Sequence, residues 1–371
     1  MKQWLFLCLA LCYTSILKSQ DNNEFASIDK KILGIPKTDT YSSDSIARFV
    51  RSNFKTDKEK FRAIYTWVTT NIKYDTDSMY AINWSGGATA KVTEALRRRK
   101  GVCENYAAIF NDISVKSGLT SFAIDGYTKQ GGRIDRTGHS WCAVKLEAEW
   151  LLCDPTWDKD AHNNSNFFLI SPAIFIESHI PFDPLWQLLN YPLSHREFRE
   201  GFSSKKDKPF FNFPDSIKAF TQLSELEQLQ ATASRMAGAG QISELLKNRI
   251  AYNNMQIGLI YEDRDKNLYN NAVAGLNHAA AGFNDFVQYR NSQFIPEKND
   301  VQINAILNAV AADISTAYQK IREMSEYNYQ YNPAELKNRL NNLEKKLEEQ
   351  KEFFKKYLAA SDAEKKKLFY Q

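Results

Sequence analysis

Apolar positions change their rhythm along this chain. From about residue 40 to 200, short helical and strand-like stretches are mixed, whereas beyond about 215 helical spacing runs to the C-terminus. Ser43 or Asp44 is placed to cap a helix carrying Ile46, Phe49 and Val50. A longer helix is predicted from about Lys58 to Ile72, with Phe61, Ile64, Tyr65 and Val68 on one face. Val92, Ala95 and Leu96 mark a third helix that ends in Arg97-Arg98-Arg99-Lys100 and is stopped by Gly101. Cations at that end suit the helix macrodipole. A fourth begins at Cys103, with Tyr106, Ala107, Phe110 and Ile113 as its apolar face and Gly118 as its stop. Strand-like segments follow at Ser121 to Tyr127, Ser140 to Leu146 and Trp150 to Asp154, with Gly131-Gly132 breaking the first connection.

The segment 200–214 is polar, carries Pro209 and Pro214, and reads as a boundary. Past it, Ile303, Ile306, Leu307, Val310, Ile314, Ala317, Tyr318 and Ile321 form one long stripe. A last helix opens with Asn332 as cap and Pro333 at its first position. Leu336, Leu340, Leu343 and Leu347 recur at spacings of four and three, a coiled-coil-like seam that suits dimerisation or packing within one chain. The expected organisation is a segment 1–20, a mixed domain 21–204 and a helical bundle 205–371.

Residues 1–20 have the character of a secretory signal: Lys2, an apolar run from Trp4 to Tyr13, then small residues near Ser19. Cys8 and Cys12 raise the alternative of a lipid anchor, but Leu7 and Leu11 stand where such a site wants a small residue. No later apolar run is long enough to span a membrane, so an exported protein, periplasmic or secreted, is expected. Of the net charge of +4, Lys2 and Lys18 contribute two, and no acidic residue lies in 1–20. The remainder is nearly balanced, which gives no footprint for nucleic acid.

After cleavage three cysteines remain, Cys103, Cys142 and Cys153. An odd number leaves at least one thiol unpaired in a monomer, a candidate nucleophile or a small buried hydrophobe. Cys103 follows Gly101-Val102 and opens a helix, where unpaired N–H groups favour a thiolate and can receive an oxyanion. The basic run before it adds positive charge if it lies close. His139 and Asp154 stand on neighbouring strands joined near Glu147-Ala148-Glu149. If Val144 pairs with Glu149, His139 lies directly opposite Asp154, and the carboxylate can orient the imidazole. A register shifted by two instead sets Cys142 opposite Cys153, where a disulfide can form, with His139 and Asp154 diagonal on one face. In either register both cysteines point away from the His139 face. His162, His179, His195 and His278 lack comparable partners and read as structural.

Gly101-Val102-Cys103, His139-Ser140-Trp141 and Asp154-Pro155-Thr156-Trp157, in that order, resemble the transglutaminase-like superfamily. Trp67, Asn71, Ile72 and Tyr74 add to the likeness, which covers roughly residues 40–200. Ser140 and Cys142 depart from the Ala and Asn that members often carry there, which leaves substrate choice open. The resemblance implies an α+β, papain/transglutaminase-like core in which the Cys helix packs on an antiparallel sheet, followed by an all-α domain. It implies a Cys103, His139, Asp154 triad and acyl transfer on amide bonds without metal or cofactor. It suggests Trp141 and Trp157 as walls for the acyl group, which can equally be core aromatics. Trp84, in the loop Asn83-Trp84-Ser85-Gly86-Gly87, is a candidate lining or oxyanion residue. Three readings stay open: peptide or isopeptide hydrolysis, protein cross-linking, and a non-enzymatic binding or scaffold protein. The substrate expected is a protein or peptide, and the C-terminal helices offer a surface for a protein partner.

Overall fold

The computed structural model describes residues 24–78, 87–159, 165–202, 208–239, 243–325, 331 and 333–369. The signal segment with Cys8 and Cys12, Trp84, His162 and Asn332 lie outside the described residues. Two compact units are formed: Met1–Gln222 with Ser234–Arg249, and Leu223–Ala233 with Ile250–Gln371.

In the first unit, helices α1 (Ala26–Leu33), α2 (Ser43–Asn53) and α3 (Asp57–Asn71) lead into β1 (Lys73–Tyr74), then α4 (Ala88–Arg98), β2 (Lys100–Gly101) and α5 (Cys103–Lys116). Strands β3 (Thr120–Gln130), β4 (Arg133–Leu146) and β5 (Glu149–Cys153) follow, then α6 (Pro172–Phe175), β6 (His179–Pro181), α7 (His195–Glu200) and α8 (Phe213–Phe220). β1 and β2 pair in parallel, and the main antiparallel sheet has the order β5-β4-β3-β6. The sheet is covered on both faces. Cys142, Val144 and Cys153 join the core built with α3 and α5. Ile124, Trp141, Ala143 and Leu152 face the other way, into a cluster with Phe175, Leu185, Leu188 and Ile217. The α+β expectation, a Cys-bearing helix on an antiparallel sheet followed by helices, describes this architecture.

Several elements differ from expectation. Ser42, not Ser43 or Asp44, caps α2, its Oγ accepting from Ser45 N at 3.2 Å. Thr56 and Glu59 form a capping box on α3, and Phe61 through Thr69 are buried on every side, beyond the single face expected. Arg99, at φ 55°, ends α4, because Lys100 and Gly101 are drawn into β2 beside β1. The basic run is bound to other partners: Arg97 to Glu94, Arg98 and Lys100 to Asp75, and Arg99 to Thr40. β4 begins at Arg133, just after the Gly131-Gly132 turn, so His139 lies within the strand and not at its start.

In the second unit, α9 (Glu225–Gly238) and α10 (Glu244–Asn291) reach across the division of the chain, and α11 (Asp300–Arg322), α12 (Pro333–Ala359) and α13 (Asp362–Leu368) complete it. The stripe on α11 packs against Leu336, Leu340, Leu343, Leu347 and Phe354 of α12 and against Ala272, Leu276, Ala279 and Phe286 of α10. The leucine seam is therefore satisfied within the chain. Among the described residues, no helix is long and apolar enough to cross a membrane.

Candidate active site

Cys103 is the first residue of α5 and is half-buried. Its position follows from the residues before it. Val102 N donates to Asn105 Oδ1 at 2.9 Å, so the Asn105 side chain folds back over the start of the helix. A Cβ at Gly101 would fall 2.6 Å from Asn105 Cβ, so only glycine admits that fold. The Tyr106 hydroxyl donates to Ile72 O, tying the first turn to the end of α3. Beside Cys103, Glu104 pairs with Lys91 at 2.9 Å.

The observed β4–β5 register sets Cys142 opposite Cys153 and leaves the two-residue connection Glu147-Ala148, with Glu147 at φ 55°. The directly opposed pairing of His139 with Asp154 is thus replaced by the diagonal one. The shorter loop is the favoured hairpin form. The diagonal still serves, because Asp154 lies just beyond β5 and turns inward: His139 Nε2 is 2.6 Å from Asp154 Oδ2. Asp154 Oδ1 accepts from Thr156 N at 2.8 Å and Trp157 N at 3.2 Å. The Cys103 side chain neighbours His139 closely enough to help raise the imidazole pKa. Cys103, His139 and Asp154 are therefore brought together.

The electrostatics follow from burial. His139 is 10% exposed and Asp154 is fully buried. Burial pulls the imidazole pKa down, but the Asp154 charge and hydrogen bond, aided by Cys103, override it and raise it to about 10. Burial pushes the Asp154 carboxyl up, and His139 together with His179 holds it below the usual carboxylate range. Cys142 and Cys153 are free, buried thiols; burial pushes Cys153 up to about 12 and Cys142 well above its ordinary value. Cys142 Sγ contacts Ala107 O at 3.3 Å, and Cys153 Sγ accepts from Leu169 N at 3.4 Å, so both face away from His139.

The reading of His179 as a structural residue without a comparable partner is corrected. His179 Nε2 is 3.2 Å from the same Asp154 Oδ2. Its signal was hidden because β6, a three-residue strand, joins the sheet beside β3, far from His139 in sequence. The donor atoms of His139, Asp154 and His179 lie within 4.8 Å of one another, a set that a transition metal can use. Here the two ring nitrogens converge because both bond one carboxylate oxygen. His195 bonds Tyr127 Oη through Nδ1 at 2.9 Å, and His278 pairs with Asp313 at 2.6 Å on the second unit.

Trp141 and Trp157 both neighbour His139, at ring centroid distances of 6.1 and 5.9 Å. Trp141 is 1% exposed and forms part of the packing beneath the imidazole. Trp157 is half-buried. A Cβ at Gly126 would lie 2.4 Å from the Trp141 ring and 2.1 Å from Ile180 O, so that glycine admits the indole between β3 and β6.

Residues 44–155 match the family model described as the transglutaminase-like superfamily. Kyphoscoliosis peptidase of Homo sapiens is 30% identical over 218 residues, covering 52% of this chain and 32% of that protein. Hillarin of Drosophila melanogaster is 27% identical over 205 residues, covering 48% of this chain and 24% of that protein. The chain thus spans about a quarter to a third of the length of these curated relatives. Among solved structures, the periplasmic domain of TgpA from Pseudomonas aeruginosa is similar with a TM-score of 0.26 and 20% identity, over 35% of this chain and 49% of that one.

Proposed function

We propose that the chain performs cysteine-dependent acyl transfer on amide bonds, in its simplest form the hydrolysis of a peptide or isopeptide bond in an exported setting. The observation that carries this reading is His139 set between the Cys103 thiol and the Asp154 carboxylate. With Nε2 held by Asp154, Nδ1 is the nitrogen left to exchange a proton with the thiol. His139, its pKa raised to about 10, already holds the proton of the pair on Nδ1; Cys103 Sγ adds to the amide carbonyl, and the leaving amine takes that proton as the C–N bond breaks. Water then adds to the thioester, giving the carboxylate product and restoring the thiol. The N–H groups at the very start of α5, those of Cys103 and Glu104, receive the oxyanion, since Asn105 N and Tyr106 N donate to Val102 O. Trp157 offers the half-buried aromatic wall, and Trp141 supports the imidazole from below. The word peptidase in the human relative's name favours water over an amine as the acceptor. The second unit provides the surface for a protein partner.

The test is the rate of Cys103 alkylation by iodoacetamide at pH 6, in the wild type and in His139→Ala. An imidazole that shares the thiol proton makes the wild type faster by at least about tenfold. Equal rates would overturn the reading. Ammonia release that requires an added amine donor would assign cross-linking in place of hydrolysis.

A further inference from the structure

Asp154 receives two imidazoles on one oxygen, and they differ in kind. His139 sits at the edge of the buried region beside Cys103, whereas the His179 side chain is fully enclosed. The rings of Phe175, Trp157, Trp141 and Phe167 surround it at centroid distances of 4.0, 4.3, 5.3 and 5.6 Å. A carboxylate only accepts, so the His179 Nε2 that meets Asp154 carries its proton. Nδ1 lies 2.7 Å from Ser178 Oγ. Burial lowers the His179 pKa against the opposing pull of Asp154, so the ring is neutral and Nδ1 accepts from the Ser178 hydroxyl. Every other lone-pair direction of Asp154 in use is filled by the Thr156 and Trp157 amides and by His139.

We infer that His179 is a positioning residue for the reaction proposed above, on which this inference rests: its Nε2–H clamps Asp154 Oδ2 so that the carboxylate keeps one orientation toward His139. The arrangement makes chemical sense of the enclosure. A group that bonds the carboxylate without competing for the shuttled proton has to be sealed from water and from charge. The charged and titratable groups facing the pair are Asp154, Cys103 and, on the His179 side, Asp135. Without the clamp, Oδ2 bears more charge toward His139, and the carboxylate, still held through Oδ1 by the Thr156 and Trp157 amides, has more freedom to tilt about its Cβ–Cγ bond. His139 then holds its proton more tightly and in a less certain place.

The test compares His179→Phe, which keeps a ring in the aromatic enclosure without the donor, with His179→Gln, which returns an N–H near the Nε2 position. The His139 ring protons are followed by NMR against pH, and Cys103 alkylation is timed in the same samples. In His179→Phe the His139 midpoint rises by at least about 0.5 unit, and alkylation slows by up to about 100-fold. His179→Gln returns both toward the wild type. Phe and Gln variants that agree with each other, shifted or unshifted, overturn the inference. If the Phe variant does not fold, the Gln variant decides alone: a wild-type His139 titration supports the clamp and a shifted one overturns it. The NMR result stands whether or not Cys103 depends on His139. A failure of the acyl-transfer reading is therefore distinguishable from a failure of the clamp.

Discussion

Asp154→Asn separates the charge of the carboxylate from its shape. Asn keeps one oxygen, which the Thr156 and Trp157 amides at 2.8 and 3.2 Å will claim. The amide NH₂ then faces the two histidines, which now point donors at a donor. Each ring must move its proton to Nδ1, and for His139 that is the nitrogen facing Cys103. In the wild type the His139 pKa stands at about 10 against an ordinary 6.5. Asp154 supplies the upward pull, and burial opposes it. With the charge removed, only the smaller pull of Cys103 opposes burial, and the midpoint falls toward its ordinary value of about 6.5. Breaking such a buried pair costs up to about 3–5 kcal/mol. The sign with pH follows. The raised His139 contributes stability fully present below about 6.5, its unfolded value, and lost as pH rises toward about 10. The depressed Asp154 contributes stability present above roughly 3.9, its unfolded value, and lost as pH falls. The difference between wild type and variant is therefore largest between about pH 4 and 6.5 and shrinks on either side. Urea denaturation across that range, with NMR titration of His139, measures both effects. A variant His139 midpoint more than about one unit above its ordinary value, or a stability difference that is flat from neutral to alkaline pH, would refute the reasoning.

The other expected outcomes are simpler. A thiol reagent applied to the folded protein labels Cys103 alone, with Cys142 and Cys153 reacting only after denaturation, since both are fully buried; peptide mapping of early labelling at either buried site would contradict the packing. Gly126→Ala forces a Cβ against Ile180 O and the Trp141 ring, and thermal unfolding should show a loss of about 1–3 kcal/mol. Leu340→Ala empties a fully buried site between α11 and α12, costing about 2–5 kcal/mol in chemical denaturation followed by circular dichroism; a change below 0.5 kcal/mol, about the scale of a surface substitution, would place the seam outside a packed core.

Local signals in this chain carry as far as local physics does. Helix periodicity located α3 and α5 to within a residue or two and marked the stripes that α11 and α12 bury, because each must bury a stripe whatever it packs against. Cys103 at the head of α5, with His139 and Asp154 near one hairpin, was legible as a constellation because alternation along strands places side chains without reference to the rest of the fold. The choice between two registers was not legible. Both keep His139 and Asp154 on one face, and only the packed hairpin, with its Glu147-Ala148 connection, selects the pairing of Cys142 with Cys153. Arg99 ending α4 depends likewise on β2 finding β1. His179 depended wholly on tertiary structure: a three-residue strand beside β3 carries it to a carboxylate 25 residues earlier. No periodicity marks such a strand. The contact that gives His179 its chemistry is made by chain segments that are distant in sequence and meet only when the sheet closes.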